Sequence, residues 1–278
     1  MNNKSSSEII QSLVLKAKKA QSIFENYNQN QVDEVITAVA WTLCKPSNNK
    51  KISNLAVSET GLGNPEDKIL KNRRKTLGLL RDLKNIKTVG VINEDKEKGI
   101  IEIAKPVGIV AAVTPSTNPA ATPINNIINA LKGRNSIIVS PSPAGSKVFR
   151  DLLILINNEL KKIGAPENLI QTFDCDVTKE LTNELMKNVD LVIVTGSLNN
   201  VREAAKSGTK AIGVGQGNVT SIVDETADLE DAFKKIKMSK TFDNATSCSS
   251  ENNLILIEDI YEKAINLLSK ENAVLLNK

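Results

Sequence analysis

The sequence predicts an α/β fold: a doubly wound parallel sheet preceded by a set of helices and a β-hairpin. Three observations carry this expectation. From Gly108 onward, short apolar runs alternate with segments of helical period. Apolar residues make up 40% of the chain and aromatics only 3%, so the core is built from Ile, Leu, Val and Ala, as in strands buried on both faces. A length of 278 residues is enough to bury a full core, as one large domain or as two.

The N-terminal part reads as helix. Ile9, Ile10, Leu13, Val14, Ala17, Ala20, Ile23 and Phe24 recur at helical spacing, and Val32, Val35, Ile36, Val39 and Leu43 repeat the pattern after Asn28. A third helix is expected over 52–59, closed by Gly61, Gly63 and Pro65, and a fourth over 65–83. The period then shortens to that of strands, and 88–92 with 100–104 predict a hairpin around a charged loop. In the α/β region the expected order is strand 109–113, helix 120–131, strand 136–139, helix 146–163, strand 169–173, helix 178–188, strand 191–195, a helix through Ala205 and strand 210–213. After Cys248 come an apolar strand at 254–257, a helix over 259–269 and the apolar run 273–276.

Composition removes several functions. A net charge of +4, from 36 basic and 32 acidic residues, is too even for a nucleic-acid footprint, and scarce aromatics remove base stacking. The basic run from Lys71 to Lys75 reads as solvated surface. Three scattered cysteines form neither a disulfide framework nor a metal-ligand spacing, and no run reaches membrane-spanning length. With no signal peptide recognised, the expectation is a soluble, cytoplasmic protein without nucleic-acid or membrane partners. The absence of histidine excludes Ser-His-Asp and Cys-His relays and any His-bearing zinc site. A general base has to be a carboxylate, a lysine or a group from outside the chain.

The ends of the expected strands carry small polar or glycine residues where ligands of such sheets bind. They are Thr114, Ser116, Thr117 and Asn118; Ser140, Pro141 and Ser142; Thr195, Gly196 and Ser197; and Gly213, Val214 and Gly215. Glycine permits close backbone approach, and helix N-termini favour phosphate oxygens. The glycine run 213–217 lacks the dinucleotide fingerprint spacing, and an ordinary tight loop is its plain alternative. Cys248 lies in a Ser/Thr-rich loop between Thr241 and Glu251, which suits either an exposed nucleophilic thiol or an inert cysteine. Cys44 and Cys175 sit beside apolar segments.

Taken in order, the runs Lys105 to Pro123, Gly213 to Asn218 with Asp224 to Asp228, and Lys240 to Glu251 resemble the CoA-acylating branch of the aldehyde dehydrogenase superfamily. Within that branch, Ala56 to Lys68 and the Thr114 to Pro119 turn are most similar to the acylating sulfoacetaldehyde dehydrogenases. The resemblance implies that Cys248 attacks an aldehyde to give a thiohemiacetal. It makes Asn118, with the Cys248 backbone N–H, the oxyanion hole; one such donor is typically worth about 3 kcal/mol of barrier. Hydride passes to NADP or NAD held at the strand ends, and CoA then attacks the Cys248 thioester. Hydrolytic members of the superfamily place a glutamate base where this chain has Val214, so thiolysis is expected over hydrolysis. No acidic residue follows Ser140 and Pro141 to repel a 2′-phosphate, and Lys147 with Arg150 favours NADP, unless both are merely solvated helix charges.

The resemblance also implies a domain plan. Residues 1–238 form the NAD(P)-binding domain, with N-terminal helices and an oligomerisation hairpin at about 88–104, and 239–278 only begin a catalytic domain. On that plan the chain is a C-terminally truncated fragment, a homo-oligomer when full length. Its strand at 254–257 has no sheet and its hairpin keeps an unpaired edge. Two other functions stay open: a non-catalytic remnant binding nucleotide or a partner subunit, and acyl-phosphate reductase-type chemistry on the same thiol.

Overall fold

The computed structural model describes residues 5–215 and 217–276. Each N-terminal helix starts where its sequence satisfies the free backbone N–H groups. Ser5 with Glu8 and Asn28 with Gln31 form capping boxes for α1 (Ser6–Phe24) and α2 (Gln29–Cys44). Proline at the first turn starts α3 (Pro46–Thr60) earlier than expected, and Gly61, left-handed at φ 66°, ends it. Asn64 caps α4 (Pro65–Leu83) by accepting from the Asp67 N–H.

The hairpin pairs β1 (Gly90–Asp95) with β2 (Ile100–Ala104) antiparallel, with a register irregularity between Val91 and Asn93. It forms a sheet of two strands, and Ile100, Ile101 and Ile103 are all more than half exposed.

The central sheet is parallel, as expected, in the order β5-β4-β3-β6-β7. Its members are β3 (Ile109–Thr114), β4 (Ser136–Pro141), β5 (Ile170–Gln171), β6 (Leu191–Thr195) and β7 (Ala211–Val214). Both β3 and β4 are buried along their whole length, which explains their unbroken apolar runs. The strand expected over 169–173 shrinks to Ile170–Gln171, because it is an edge strand and Thr172 turns its hydroxyl back to the Val139 carbonyl. One apolar cluster packs α2, α5 (Ala121–Lys132) and α6 (Ser146–Lys162) on one face. On the other face, α1, α7 (Lys179–Lys187) and α8 (Leu198–Lys206) cover the sheet. Successive strands are added to one side from β3 to β5 and to the other side from β6 to β7, which makes the β3/β6 position the topological switch point.

The C-terminal part corrects one expectation. The strand at 254–257 does have a sheet: β9 (Glu251–Leu256) pairs in parallel with β8 (Val219–Val223). With α9 (Leu229–Thr241) and α10 (Tyr261–Lys270) these strands enclose a separate cluster of Val223, Leu229, Phe233, Ile260 and Ala264. The division expected at 238/239 therefore falls inside α9, whose apolar face belongs to this cluster. Residues 273–276 form no regular element. Among the described residues, no helix is long and apolar enough to cross a membrane.

Candidate active site

Cys248 occupies a tight turn closed by a hydrogen bond from the Ser250 N–H to the Ser247 carbonyl (3.1 Å), and the Ser250 hydroxyl donates to the same oxygen. Ser250 is buried and Cys248 is exposed, so the turn is anchored behind its thiol. Cys44 and Cys175 are only partly exposed, and burial pushes the Cys44 thiol up, away from the thiolate. Cys248 is the thiol with the access that a nucleophile needs.

What holds this turn is a buried ion cluster that the sequence reading did not find. Immediately ahead of the turn, a 3₁₀ segment (Phe242–Ala245) carries Asp243, Asn244 and Ala245 at positive φ (52°, 52° and 59°). Such backbone costs free energy at non-glycine residues and persists only where surrounding contacts enforce it. The Asp243 carboxylate is fully buried and accepts from Lys68 Nζ (3.1 Å), from Lys71 Nζ and from the Asn64 N–H (3.0 Å). The Asp243 N–H donates to Asp67 (2.7 Å), and Asn244 donates to the Gly63 carbonyl (3.1 Å). Lys71 also lies over the Phe242 ring. The basic run at 71–75 is thus not uniformly solvated: Lys71 is 3% exposed and points inward.

Lys68 extends the cluster to the second loop, since its ammonium also reaches the Thr117 carbonyl (3.4 Å), next to Asn118. Asn118 is buried at the start of the segment leading into α5, and among the described residues its amide has only a long contact to the Thr117 hydroxyl (3.5 Å). The same lysine therefore ties the loop bearing Asn118 to the loop bearing Cys248. Burial pushes the Lys68 ammonium below its ordinary range, and the Lys71 charge adds to this, while Asp243 opposes both.

A cleft of about 460 Å³ opens at the switch point. It is lined by Thr114, Ser116, Ser140, Pro141, Ser142, Thr195, Gly196 and Ser197, all expected there from the strand ends. The Thr114 hydroxyl is buried and has no partner among the described residues. Ser197 and Thr178 cap α8 and α7 where these helices meet the cleft. Sequence reasoning missed the wall formed by α7 and α8, including Lys179, Asn183 and Glu203. Those residues lie within helices, where strand-end reasoning does not look.

Four of the expected residues are elsewhere. Thr117 faces Lys68, and Gly213, Val214 and Gly215 do not line the cleft. Gly213 and Gly215 are packing positions, because added Cβ atoms would come within 2.6 Å of Val201 and 3.0 Å of Leu198. Val214 ends the edge strand, half exposed. A Cβ at Gly217 would meet the Cys248 carbonyl at 2.6 Å, so the end of the glycine run lets the two loops touch; Gln216 lies outside the described residues. Lys147 does not line the cleft either. Its ammonium is held by Glu59 (2.8 Å), which raises its pKa, so the cation at the cleft is Lys179. The acids of the 224–228 segment act locally, Asp224 accepting from Thr226 and Asp228 capping α9. Among the described residues, no group of His, Cys, Asp and Glu has the make-up to hold a metal ion.

A family model described as the aldehyde dehydrogenase family matches residues 2–275. The chain belongs to the aldehyde dehydrogenase family. Among its relatives is an acylating sulfoacetaldehyde dehydrogenase of Cupriavidus necator, 51% identical over 97% of this chain and 55% of the relative. An acetylating aldehyde dehydrogenase from Geobacillus thermoglucosidasius superposes with a TM-score of 0.93 at 38% identity, covering 98% of this chain and 60% of that one. A propionaldehyde dehydrogenase of Rhodopseudomonas palustris, solved with bound propionyl-CoA, gives 0.85 at 31% identity, covering 97% and 61%. The chain thus spans about half the length of the curated relatives it matches. The resemblance to acylating members of this aldehyde dehydrogenase family is borne out.

Two outcomes follow from the ion cluster. Gly61 and Gly63 both have positive φ, but only at Gly63 would a Cβ run into the Asp243 carboxylate. Gly61→Ala is expected to cost about 1 kcal/mol of unfolding free energy and Gly63→Ala more than about 3 kcal/mol in urea titrations, whereas equal losses would contradict the seating of Asp243. Lys68 holds fewer protons folded than unfolded between its lowered and its ordinary pKa. Its contribution to stability therefore rises with pH through that interval, and the full cost of the buried charge is felt below it. Lys68→Met should flatten the gain in unfolding free energy as pH rises towards the ordinary lysine range, and an unchanged slope would contradict a buried ammonium at this position.

Proposed function

We propose that the chain carries the thiol and cofactor half of a CoA-acylating aldehyde dehydrogenase, converting an aldehyde, CoA and NAD(P)+ to acyl-CoA and NAD(P)H. The observation supporting this most is the joint anchoring of two loops: one buried ion cluster holds both the Cys248 turn and the loop of Asn118, next to a cleft at the switch point.

In this reading Cys248 Sγ forms a bond to the aldehyde carbon, and the Asn118 amide with the Cys248 N–H receives the oxyanion. Thr114, Ser116, Ser140, Ser142, Thr195 and Ser197 hold the cofactor: the cleft fits phosphate and ribose oxygens, with an unpartnered Thr114 hydroxyl and two helix N-termini. The nicotinamide cofactor, when bound, supplies the hydride acceptor. The chain's part is to hold the thioester on Cys248 until a thiol accepts the acyl group. Val214 provides no carboxylate, and the sequence has no histidine, so activation of water lacks a base while a CoA thiol needs less help. Lys179 is compatible with a phosphorylated ribose, and NADP and NAD both remain open to this cleft. The substrate most in keeping with the Cupriavidus necator relative is sulfoacetaldehyde.

We further place the start of the second unit in the link between β7 and β8, since α9 packs with β9 and α10. The apolar, exposed hairpin suits pairing with another subunit of a homo-oligomer.

The test is single-turnover labelling. With aldehyde and NADP or NAD but no CoA, mass spectrometry of the peptide bearing Cys248 is expected to show the acyl group, and added CoA should discharge it. Cys248→Ala should lower CoA-dependent nicotinamide reduction by at least about a thousandfold. Activity unchanged by that substitution would contradict the nucleophile, and nucleotide binding without any acylation would favour a non-catalytic binding role.

A further inference from the structure

A second cleft, of about 450 Å³, lies on another side of the Cys248 turn, between α4, α9 and the serines that flank the thiol. Ser247 and Ser249 line it, one on each side of Cys248, and their hydroxyls are hydrogen-bonded to each other (3.0 Å). Two cations line it as well, Arg74 from α4 and Lys235 from α9. Arg74 makes no ion pair or hydrogen bond among the described residues. Lys235 is shared with Asp231 (2.5 Å), an exposed pair whose attraction water weakens. One carboxylate is present, Asp67, but its Oδ2 already accepts from the Asp243 N–H and from the Asn64 amide, each at 2.7 Å. The remaining wall includes Leu70 and Phe242. The cleft is therefore cationic on balance, with a free guanidinium, donor hydroxyls and an apolar wall beside the turn that carries Cys248.

We infer that this cleft takes the anionic end of a short aldehyde substrate, a sulfonate or a carboxylate, with Arg74 as the residue that selects it. The inference rests on Cys248 being the nucleophile and adds which aldehydes reach it. A planar guanidinium without a partner pairs with two anion oxygens at once, and Lys235 and the serine hydroxyls supply further donors. Ser247 and Ser249 are the direct chain neighbours of Cys248, so an anion held in this cleft lies next to the turn that carries the thiol. A neutral aldehyde of the same length gains nothing from Arg74.

The experiment uses electrophiles that label the thiol without cofactor, CoA or turnover, on the full chain carrying Cys44→Ser and Cys175→Ser. 2-Bromoethanesulfonate, 3-bromopropionate and 2-bromoethanol each place bromide on a terminal carbon. The Cys248 thiolate displaces bromide, a C–S bond replaces the C–Br bond, and the thiol proton passes to buffer. Relative to a small free thiol, Cys248 is expected to favour at least one of the anionic reagents over 2-bromoethanol. Arg74→Gln should lower the rate with that anion about fivefold to tenfold and leave the 2-bromoethanol rate within about twofold. Lys235→Gln should produce a smaller loss of the same kind, and the faster of the two anions identifies the preferred headgroup. An anion preference no greater than that of the free thiol, or one untouched by Arg74→Gln, overturns the inference while leaving the nucleophile in place. Failure of Cys248 to react with any of the three reagents overturns the nucleophile reading itself, and this inference with it.

Discussion

The arrangement of the site depends on one carboxylate that water does not reach. Asp243 is fully buried, and an unpaired charge there would cost several kcal/mol even after relaxation, about 3–5 kcal/mol being typical when one partner of a buried pair is removed. Lys68 and Lys71 from α4 supply the opposing charge, and the backbone of Asn64 supplies a further donor. The three residues at positive φ are tolerated because these contacts determine the path of the chain. Removal of any one member would leave the others buried without their partners. Consequently the first turn of α4, the glycine turn before it and the cysteine loop act as one unit.

That unit ties the N-terminal helices to residues far along the sequence. Lys68 touches both the Thr117 carbonyl and Asp243, so the loop of Asn118 and the loop of Cys248 share one support. The parallel sheet presents small polar side chains at its switch point on one side of this support. On another side α4 offers Arg74 to the cysteine turn. In the proposed function the cofactor and the aldehyde approach from these two clefts. The thiol stands on a turn whose backbone is already fixed, so little ordering remains to be done at the moment of reaction.

Much of this was legible in the sequence because the relevant signals are local. Apolar runs too long for alternation marked β3 and β4, apolar residues at helical spacing marked α1 and α2, and the polar residues following each strand marked most of one cleft wall. What stayed hidden depends on long-range contacts or on weak periodicity. Lys71 in a basic run looks like surface until Asp243 arrives from the other end of the chain. The short strand β8 is Val-Thr-Ser-Ile-Val between polar segments, and α9 is rich in lysine, so neither stood out, and β9 then appeared to lack a partner. The glycine run at 213–217 suggested a phosphate cradle from composition alone. In the fold its glycines also lie where an added Cβ would crowd Val201, Leu198 or the Cys248 carbonyl.

The central claim is that the Cys248 loop is held rigidly by this buried cluster. Amide hydrogen exchange tests it most directly, because the hydrogen bonds of Asp243, Thr246 and Ser250 N–H groups are all inside the loop or its anchor. These amides are expected to exchange on the timescale of β3 and β4 in the buried sheet, despite lying outside the sheets and α-helices. Exchange as fast as that of an exposed loop, with β3 and β4 still protected, would contradict it.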